Sequence, residues 1–185
     1  MASGMDLKLS RLISGLVMAA LLFCFGCASV SIETVRDKNF TGKISKMYVL
    51  INANSQLENA YFQCLKNALD AQMQSRGISS MSRINSRLEL DETKFLKEIA
   101  SYAPDATLLL RPTGGTKFQD GTTKNVTWDA SLLNKERKRR IWRANIKDQS
   151  SAGFYKLRMD KVAETIFNNL ETEGLVDKPV LQNKE

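Results

Sequence analysis

Hydrophobic positions along the chain follow two spacings, one typical of helices and one typical of strands. Three segments place apolar residues every three or four positions, which predicts amphipathic helices at residues 54–77, 91–104 and 154–173. The apolar face of the last helix is expected to include Leu157. Shorter apolar or alternating runs predict strands. These are Lys46–Asn52, Ile78–Ile84, Asp105–Pro112, Asn125–Leu133 and Arg140–Asp148, with an edge strand at Ser31–Arg36.

Capping residues set the expected limits of the helices. Ser55, followed three positions later by Glu58, is typical of a capping box at a helix start. Asp91 is the expected cap of the second helix, which ends before Pro104. Gly77 and Gly174 are expected to end the first and last helices, because glycine readily adopts the left-handed conformation found there.

The order of these elements from Lys46 onward, β-α-β-α-β-β-β-α, predicts an α/β fold. Strands that alternate with helices favour a partly parallel sheet covered by helices. The last two strands alternate, with Trp128 and Trp142 among the inward positions, and the polar segment NKERKR between them predicts an antiparallel hairpin. The Gly-rich segment TGGTKFQDGTTK before this hairpin is expected to be a loop.

A separate apolar run lies at the start of the chain. Leu12–Phe25 is apolar over fourteen residues, whereas a membrane-spanning helix needs about 20. Lys8 and Arg11 precede the run, and Gly26 and Cys27 follow it. A basic start, a short apolar run and small residues after it are typical of a secretory signal peptide.

The stretch CFGCAS at the end of this run resembles the lipobox of bacterial lipoproteins, with Gly26 before Cys27. The resemblance implies that Cys27 is acylated and becomes the new N-terminus. It also implies that Ala28, rather than an aspartate, directs the protein to the outer membrane. An uncleaved N-terminal anchor and an ordinary cleaved signal are the alternatives that the residues leave open.

These features divide the chain into four segments. Residues 1–26 are the predicted signal peptide, 27–45 an acylated cysteine and tether, 46–174 a single α/β domain, and 175–185 a flexible tail. The chain from residue 27 onward is long enough for one domain with its own core.

Composition excludes several kinds of chemistry. The chain has no histidine, which removes Ser-His-Asp and Cys-His catalytic arrangements and zinc sites of Cys and His ligands. After loss of the signal peptide only Cys27 and Cys64 remain. Because the lipobox resemblance implies that Cys27 is acylated, no internal disulfide is expected, and Cys64 lies on an apolar helix face. We therefore expect a protein that is not an enzyme and that holds no metal or other cofactor. A hydrolase that uses only carboxylates is an alternative, but the candidates are scattered along the chain: Asp91, Glu92, Asp105, Asp120 and Asp129.

The net charge of +7 has its densest cluster in the segment KERKRR, at residues 135–140. An anionic lipid or a cell-wall polymer is a candidate ligand for this cluster. The alternative is a solvated hairpin tip whose charges prevent edge-to-edge strand pairing. Nucleic acid is not an expected partner, because the signal peptide directs the chain to the envelope. The candidate contact residues are Lys135, Arg137, Lys138, Arg139 and Arg140.

Two further stretches, ASYAPDATLLL and WDASLLNKERKRRIWRANI, resemble segments of small envelope lipoproteins. That group includes proteins with a domain like the amino-terminal domain of TolB, the curli-secretion lipoprotein and the penicillin-binding-protein activator lipoproteins. The resemblance implies an α/β fold and an envelope location, without a partner. We expect an outer-membrane lipoprotein facing the periplasm that acts as a binding or assembly module for an envelope protein or cell-wall polymer. Assembly into several copies of the chain is compatible with this expectation.

Overall fold

A computed structural model describes residues 29–53, 57–85, 92–117, 119, 123–135, 139–149 and 155–179. These residues form six strands and three helices. In chain order they are β1 (Ser29–Arg36), β2 (Lys46–Asn52), α1 (Asn59–Ser75), β3 (Ser79–Asn85), α2 (Glu92–Tyr102), β4 (Ala106–Lys117), β5 (Thr123–Asn134), β6 (Arg140–Gln149) and α3 (Tyr155–Thr172). The predicted order is confirmed, and the edge strand is β1.

All six strands belong to one mixed sheet, in the order β1-β6-β5-β4-β2-β3. The β2 strand pairs in parallel with β3 and β4, while β4, β5, β6 and β1 pair antiparallel in succession. The predicted α/β class, with a partly parallel sheet and an antiparallel hairpin, is therefore confirmed.

The main core lies between one face of the sheet and the helices α1 and α3. Alternate strand positions point into it, because successive side chains of a strand face opposite sides of the sheet. Trp128 and Trp142 are both fully buried there, which confirms their expected place in the core. Other members of this core include Met47, Val49, Ile51, Tyr61, Phe62, Leu65, Leu69, Met73, Val126, Ala130, Leu132, Ile146, Met159, Val162, Ile166 and Phe167.

The other face of the sheet is only partly covered. Tyr48 and Leu50 of β2 form a small second core with Ile99 of α2, and Phe95 and Leu109 pack against it. The outward positions on β1 and β6 are mostly exposed, including Val35 and Arg143. Within the described residues, helix α2 thus covers one half of this face and leaves the other half open.

The helix ends agree with the sequence at their C-termini and differ at one N-terminus. Gly77 and Gly174 have φ of 65° and 69°, and each follows the last turn of its helix as predicted. Helix α1, however, begins after Glu58, which has an extended backbone and no capping hydrogen bond from its side chain. The predicted capping box is therefore wrong, because Glu58 stands before the helix and not in its first turn. Ser55 and Asp91 lie outside the described residues.

Leu157 differs from the prediction for α3. Its side chain is 62% exposed, although the pattern placed it on the buried face. Leu157 precedes the buried Val162 by five positions. Since each residue rotates the helix by about 100°, the two side chains point about 140° apart. Met159 is fully buried and occupies the core in this turn.

Most of the predicted Gly-rich loop is in fact strand. Thr113–Lys117 continues β4 and pairs with β5, with a register shift between Pro112 and Gly114. A Cβ atom on Gly115 would lie 2.7 Å from the carbonyl oxygen of Asn125. The glycine that suggests a loop is therefore the residue that allows the close strand pairing. The remaining predicted loop positions, 118 and 120–122, lie outside the described residues.

The sheet and core also extend beyond both predicted limits of the domain. Every residue of β1 pairs with β6, so the segment between Ser29 and Arg36 is part of the sheet and not a free tether. Leu175 and Val176 are buried in the main core, and the Ile44 N–H donates to the Leu175 carbonyl oxygen at 2.9 Å. The core thus extends past Gly174, where the sequence placed its end; residues 180–185 lie outside the described residues.

Candidate binding surfaces

The strand register defines two ends of the sheet. Gln149, the last residue of β6, is paired with Ser29 of β1 on one side and with Asn125 of β5 on the other. The start of β1, the end of β6 and the start of β5 therefore lie at the same end of the sheet. We call this the anchor end, because the candidate lipidation site Cys27 precedes Ser29 by two positions. The opposite end carries the β5–β6 turn and is called the hairpin end. The eight residues of β1 span about 23 Å between them.

The basic cluster at residues 135–140 lies in the turn at the hairpin end. The predicted hairpin is confirmed, with the Asn134 N–H donating to the Arg139 carbonyl oxygen at 3.0 Å. Lys135, Arg139 and Arg140 are exposed. Arg139 also forms an ion pair with Asp37, which follows β1, so part of its charge is neutralised. The other two candidate contact residues, Arg137 and Lys138, lie outside the described residues.

A second cationic feature lies on the open half of the sheet, where sequence reasoning did not find it. Arg111 of β4 and Arg143 of β6 both donate to Oδ2 of Asp129 on the strand between them, at 3.0 and 2.9 Å. Asp129 is buried beneath the two guanidinium groups, whereas both arginine side chains are more than half exposed. The strand register could have suggested this row, since Arg111 and Asp129 are direct partners in a correctly paired hairpin.

The two arginines of this row keep the carboxyl group of Asp129 ionised. Burial on its own raises the pKa of Asp129, but hydrogen bonds from Arg143 and Arg111 outweigh burial and hold the pKa below its usual value. The same hydrogen bond raises the pKa of Arg143. Asp129 therefore stays ionised at neutral pH, and one carboxylate between two arginines presents one net positive charge to solvent.

Asp105, another of the scattered carboxylates, has a structural role. Its Oδ2 accepts hydrogen bonds from the backbone N–H groups of Ser45 and Lys46 at 3.0 and 2.9 Å and from the Ser45 hydroxyl. Burial raises its pKa, yet these hydrogen bonds outweigh burial and lower the pKa overall. A carboxyl held in its ionised form is poorly suited to donate a proton in catalysis. Asp91 and Asp120 lie outside the described residues, as does the side chain of Glu92.

A buried ionic cluster lies near the anchor end and was also missed from the sequence. Arg158 of α3 donates from Nη2 to Oδ2 of Asp148 at 2.7 Å, and the Tyr61 hydroxyl donates to the same oxygen at 2.7 Å. The side chains of Asp148 and Arg158 are 0% and 1% exposed. Burial, followed by the negative charge of Asp148, raises the pKa of Tyr61 far above its usual value. The cluster joins α1, β6 and α3 and is closed to solvent, so it is a structural feature and not a surface site.

Cys64 packs partly buried against the main core, in agreement with its predicted place on an apolar helix face. Within the described ranges, no helix is both long and apolar enough to span a membrane. The same part of the chain contains no group of three or more Cys, Asp or Glu side chains arranged to hold a metal ion.

No protein-family model matches the sequence, and no curated protein is significantly similar to it. Several solved structures resemble the fold. The PelC dodecamer from Paraburkholderia phytofirmans is 15% identical with a TM-score of 0.47, over 81% of this chain and 100% of that chain. Lipoprotein GNA1162 from Neisseria meningitidis is 12% identical with a TM-score of 0.42, over 69% of this chain and 99% of that chain. At these values the likeness concerns the arrangement of strands and helices, and it assigns neither function nor assembly.

Proposed function

We propose that this chain is a lipoprotein of the bacterial envelope, attached to the membrane through an acylated Cys27, whose α/β domain is a non-catalytic binding module for an envelope partner. The stretch Leu12–Ser29 carries the proposal. Its apolar run is too short to span a bilayer, the run is followed by Gly26 and Cys27, and the first described strand begins at Ser29. A cysteine at this junction favours lipidation over an ordinary cleaved signal.

The location within the envelope follows from the residue after the cysteine. By its resemblance to lipoprotein signals, Ala28 favours sorting to the outer membrane, with the domain facing the periplasm. One acyl chain binds a membrane only marginally, and stable anchoring needs a second signal. The several acyl chains that this class of protein carries would supply a durable attachment.

The basic hairpin is the first candidate contact surface of the binding module. The hairpin end lies about 23 Å from the anchor end along β1. Charges are screened over about 8 Å at physiological ionic strength. Lys135 and Arg140 are therefore too far from the anchor end to be attracted by the headgroups of the leaflet that holds Cys27. This separation favours a cell-wall polymer or an acidic partner protein, reached across the periplasm, over the headgroups of the anchoring leaflet.

Metabolic labelling with radioactive palmitate tests the anchor. We expect label on the wild type and on Cys24→Ala, which changes the neighbouring cysteine of the same stretch, but none on Cys27→Ala. An inhibitor of the lipoprotein signal peptidase should cause the precursor to accumulate. Label that persists on Cys27→Ala, or its absence from the wild type, would contradict the proposal.

Co-sedimentation with purified cell-wall polymer tests the hairpin. We expect Lys135→Gln combined with Arg140→Gln to weaken binding and to reduce its dependence on salt. Lys117→Gln combined with Lys147→Gln is the matched control, because it removes two exposed positive charges at the opposite, anchor end of the sheet. Equal binding by both double variants would remove the hairpin as the contact surface, while leaving the lipid anchor unaffected.

A further inference from the structure

We infer that the anchor end of the sheet is a second membrane-contact surface, in which Lys117, Lys147, Lys156 and Leu157 rest on the phospholipid headgroups of the leaflet that holds Cys27. This inference rests on the proposed acylation of Cys27. It adds what that proposal lacks, which is the orientation of the domain and the residues that hold it.

Very little chain separates the proposed lipid from the fold. Two residue steps separate Cys27 from Ser29, and extended chain covers at most about 3.6 Å a step, so the anchor lies within roughly 7 Å of the sheet. Ser29 is not a mobile linker residue, because it is paired with Gln149 at the end of the sheet. An acylated Cys27 therefore brings this end of the domain to the headgroup region.

The β4–β5 connection and the start of α3 meet at the anchor end. Lys117 is the last residue of β4 and is paired with Thr123, the first residue of β5. Arg158 in the first turns of α3 donates to the Thr123 carbonyl oxygen at 2.8 Å. This hydrogen bond places Lys156 and Leu157, one or two positions earlier in the helix, beside the same end of the sheet.

The exposed side chains at this end suit an anionic surface. Lys117, Lys147 and Lys156 are exposed, and their flexible stems allow the ammonium groups to reach phosphate while the methylenes cover apolar surface. The carboxylate of Asp148 does not offset them, since it is fully buried and paired with Arg158. The exposed carboxylate of Asp160, one helical turn beyond Lys156, offsets at most one of the three charges. This positive charge lies within one screening length, about 8 Å, of a surface that carries phosphates.

Leu157 adds an apolar contact. It is 62% exposed and is one of four large hydrophobic residues that are exposed in the described part of the chain. A leucine among lysines at the tip of a domain is typical of contact with the boundary between headgroups and acyl chains. Charge and apolar exposure thus favour a phospholipid surface over an acidic protein as the occupant of this end.

Depth-dependent quenching tests the orientation with the full acylated chain in vesicles of phosphatidylethanolamine and phosphatidylglycerol. In a Cys64→Ala background, a fluorophore is attached to Gln149→Cys, an exposed position paired with Ser29 at the anchor end, or, for comparison, to Lys135→Cys at the hairpin end. A nitroxide on the lipid headgroup is expected to quench the label at 149 and to leave the label at 135 unaffected. Equal quenching at both positions, or quenching at 135 alone, would overturn the inference.

Two double variants that each remove two positive charges separate the role of the lysines from that of the anchor. With the label at 149, Lys147→Gln combined with Lys156→Gln should lose much of the quenching, whereas Lys38→Gln combined with Lys178→Gln should keep it. Unchanged quenching in the first double variant would overturn the role of the lysines. Flotation with the vesicles reports the anchor separately: a chain that floats without selective quenching contradicts the inference alone, whereas a chain that does not float contradicts the proposed function as well.

Discussion

Replacing Asp148 by asparagine should strongly destabilise the domain, because it leaves the charge of Arg158 buried without a counterion. Asp148 accepts three hydrogen bonds, two from Arg158 at 2.7 and 3.3 Å and one from Tyr61 at 2.7 Å. Asparagine keeps the size of the side chain and one acceptor oxygen, so the change removes charge and leaves little cavity. The expected loss therefore reports the electrostatic pairing itself.

The magnitude follows from burial. Breaking a fully buried ion pair by removing one partner costs about 3–5 kcal/mol. Arg158 keeps its hydrogen bonds to the carbonyl oxygens of Thr123 and Lys124, at 2.8 and 3.3 Å, which favours the lower value of about 3 kcal/mol. For a domain of this length, a loss of that size lowers the melting temperature by about 10 °C.

Urea unfolding of a soluble form that begins at Ala28, followed by circular dichroism, measures this loss. Asp160→Asn is the matched control, since it removes an exposed carboxylate from α3 and should change stability by less than about 0.5 kcal/mol. Asp148→Asn combined with Arg158→Met should lose less than the sum of the two single variants, by about 2–3 kcal/mol. A loss below about 1 kcal/mol for Asp148→Asn, or additive losses in the double variant, would refute the reasoning.

Three further predictions test local features of the fold. Gly115→Ala should lower the free energy of unfolding by about 1–3 kcal/mol in urea, because its Cβ would lie 2.7 Å from the Asn125 carbonyl oxygen, whereas Gly114→Ala, with open space around it, should change it little. The pKa of Asp129 is lower in the folded than in the unfolded protein, so its ionised form stabilises the fold. This contribution to the free energy of unfolding is complete above about pH 4 and is lost as the pH falls through the folded pKa. Asp129→Asn should therefore lose less stability than the wild type on acidification, and an equal loss in urea titrations would contradict this. Ala103→Gly should raise stability by about 1 kcal/mol in thermal unfolding, because Ala103 has a φ of 48°; a decrease would argue against relieved strain.

The sequence predicted those helices and strands whose hydrophobic residues repeat with the period of the secondary structure. Trp128 and Trp142 occupy inward positions of alternating strands, and the structure buries both. Lys46–Asn52 matches its predicted bounds to the residue, because all of its interior positions are buried. The fold class follows from such segments, because the apolar face of each one has to pack against the apolar face of another element.

Other elements escaped prediction because polar or small residues carry their role. The second half of β4 consists of Thr and Gly and lacks a hydrophobic pattern, although Gly115 is what lets it approach β5. Asp148 and Arg158 occupy inward positions, with Asp148 in phase with Ile146 and Arg158 in phase with Val162. Their charges argued for exposure, and only the three-dimensional structure shows that they neutralise each other.

The basic hairpin and the anchor-end lysines have different expected partners, because they lie at opposite ends of β1. The sequence identified the hairpin by its density of charge, and it could not show that the hairpin lies at the end opposite Ser29. The lysines at the anchor end are scattered between Lys117 and Lys156 in the sequence and converge only in the folded sheet. Charge density along the chain thus identifies the hairpin but not the lysines that lie near one another only in the fold.

The mass of the mature protein, purified from the membrane fraction of a bacterium that expresses it, tests the proposed lipid anchor most directly. The expected mature chain begins at Cys27, lacks residues 1–26 and carries added acyl mass on its first residue. A mature chain that retains residues 1–26, or one that begins after Cys27 without added mass, would contradict the proposed lipid anchor.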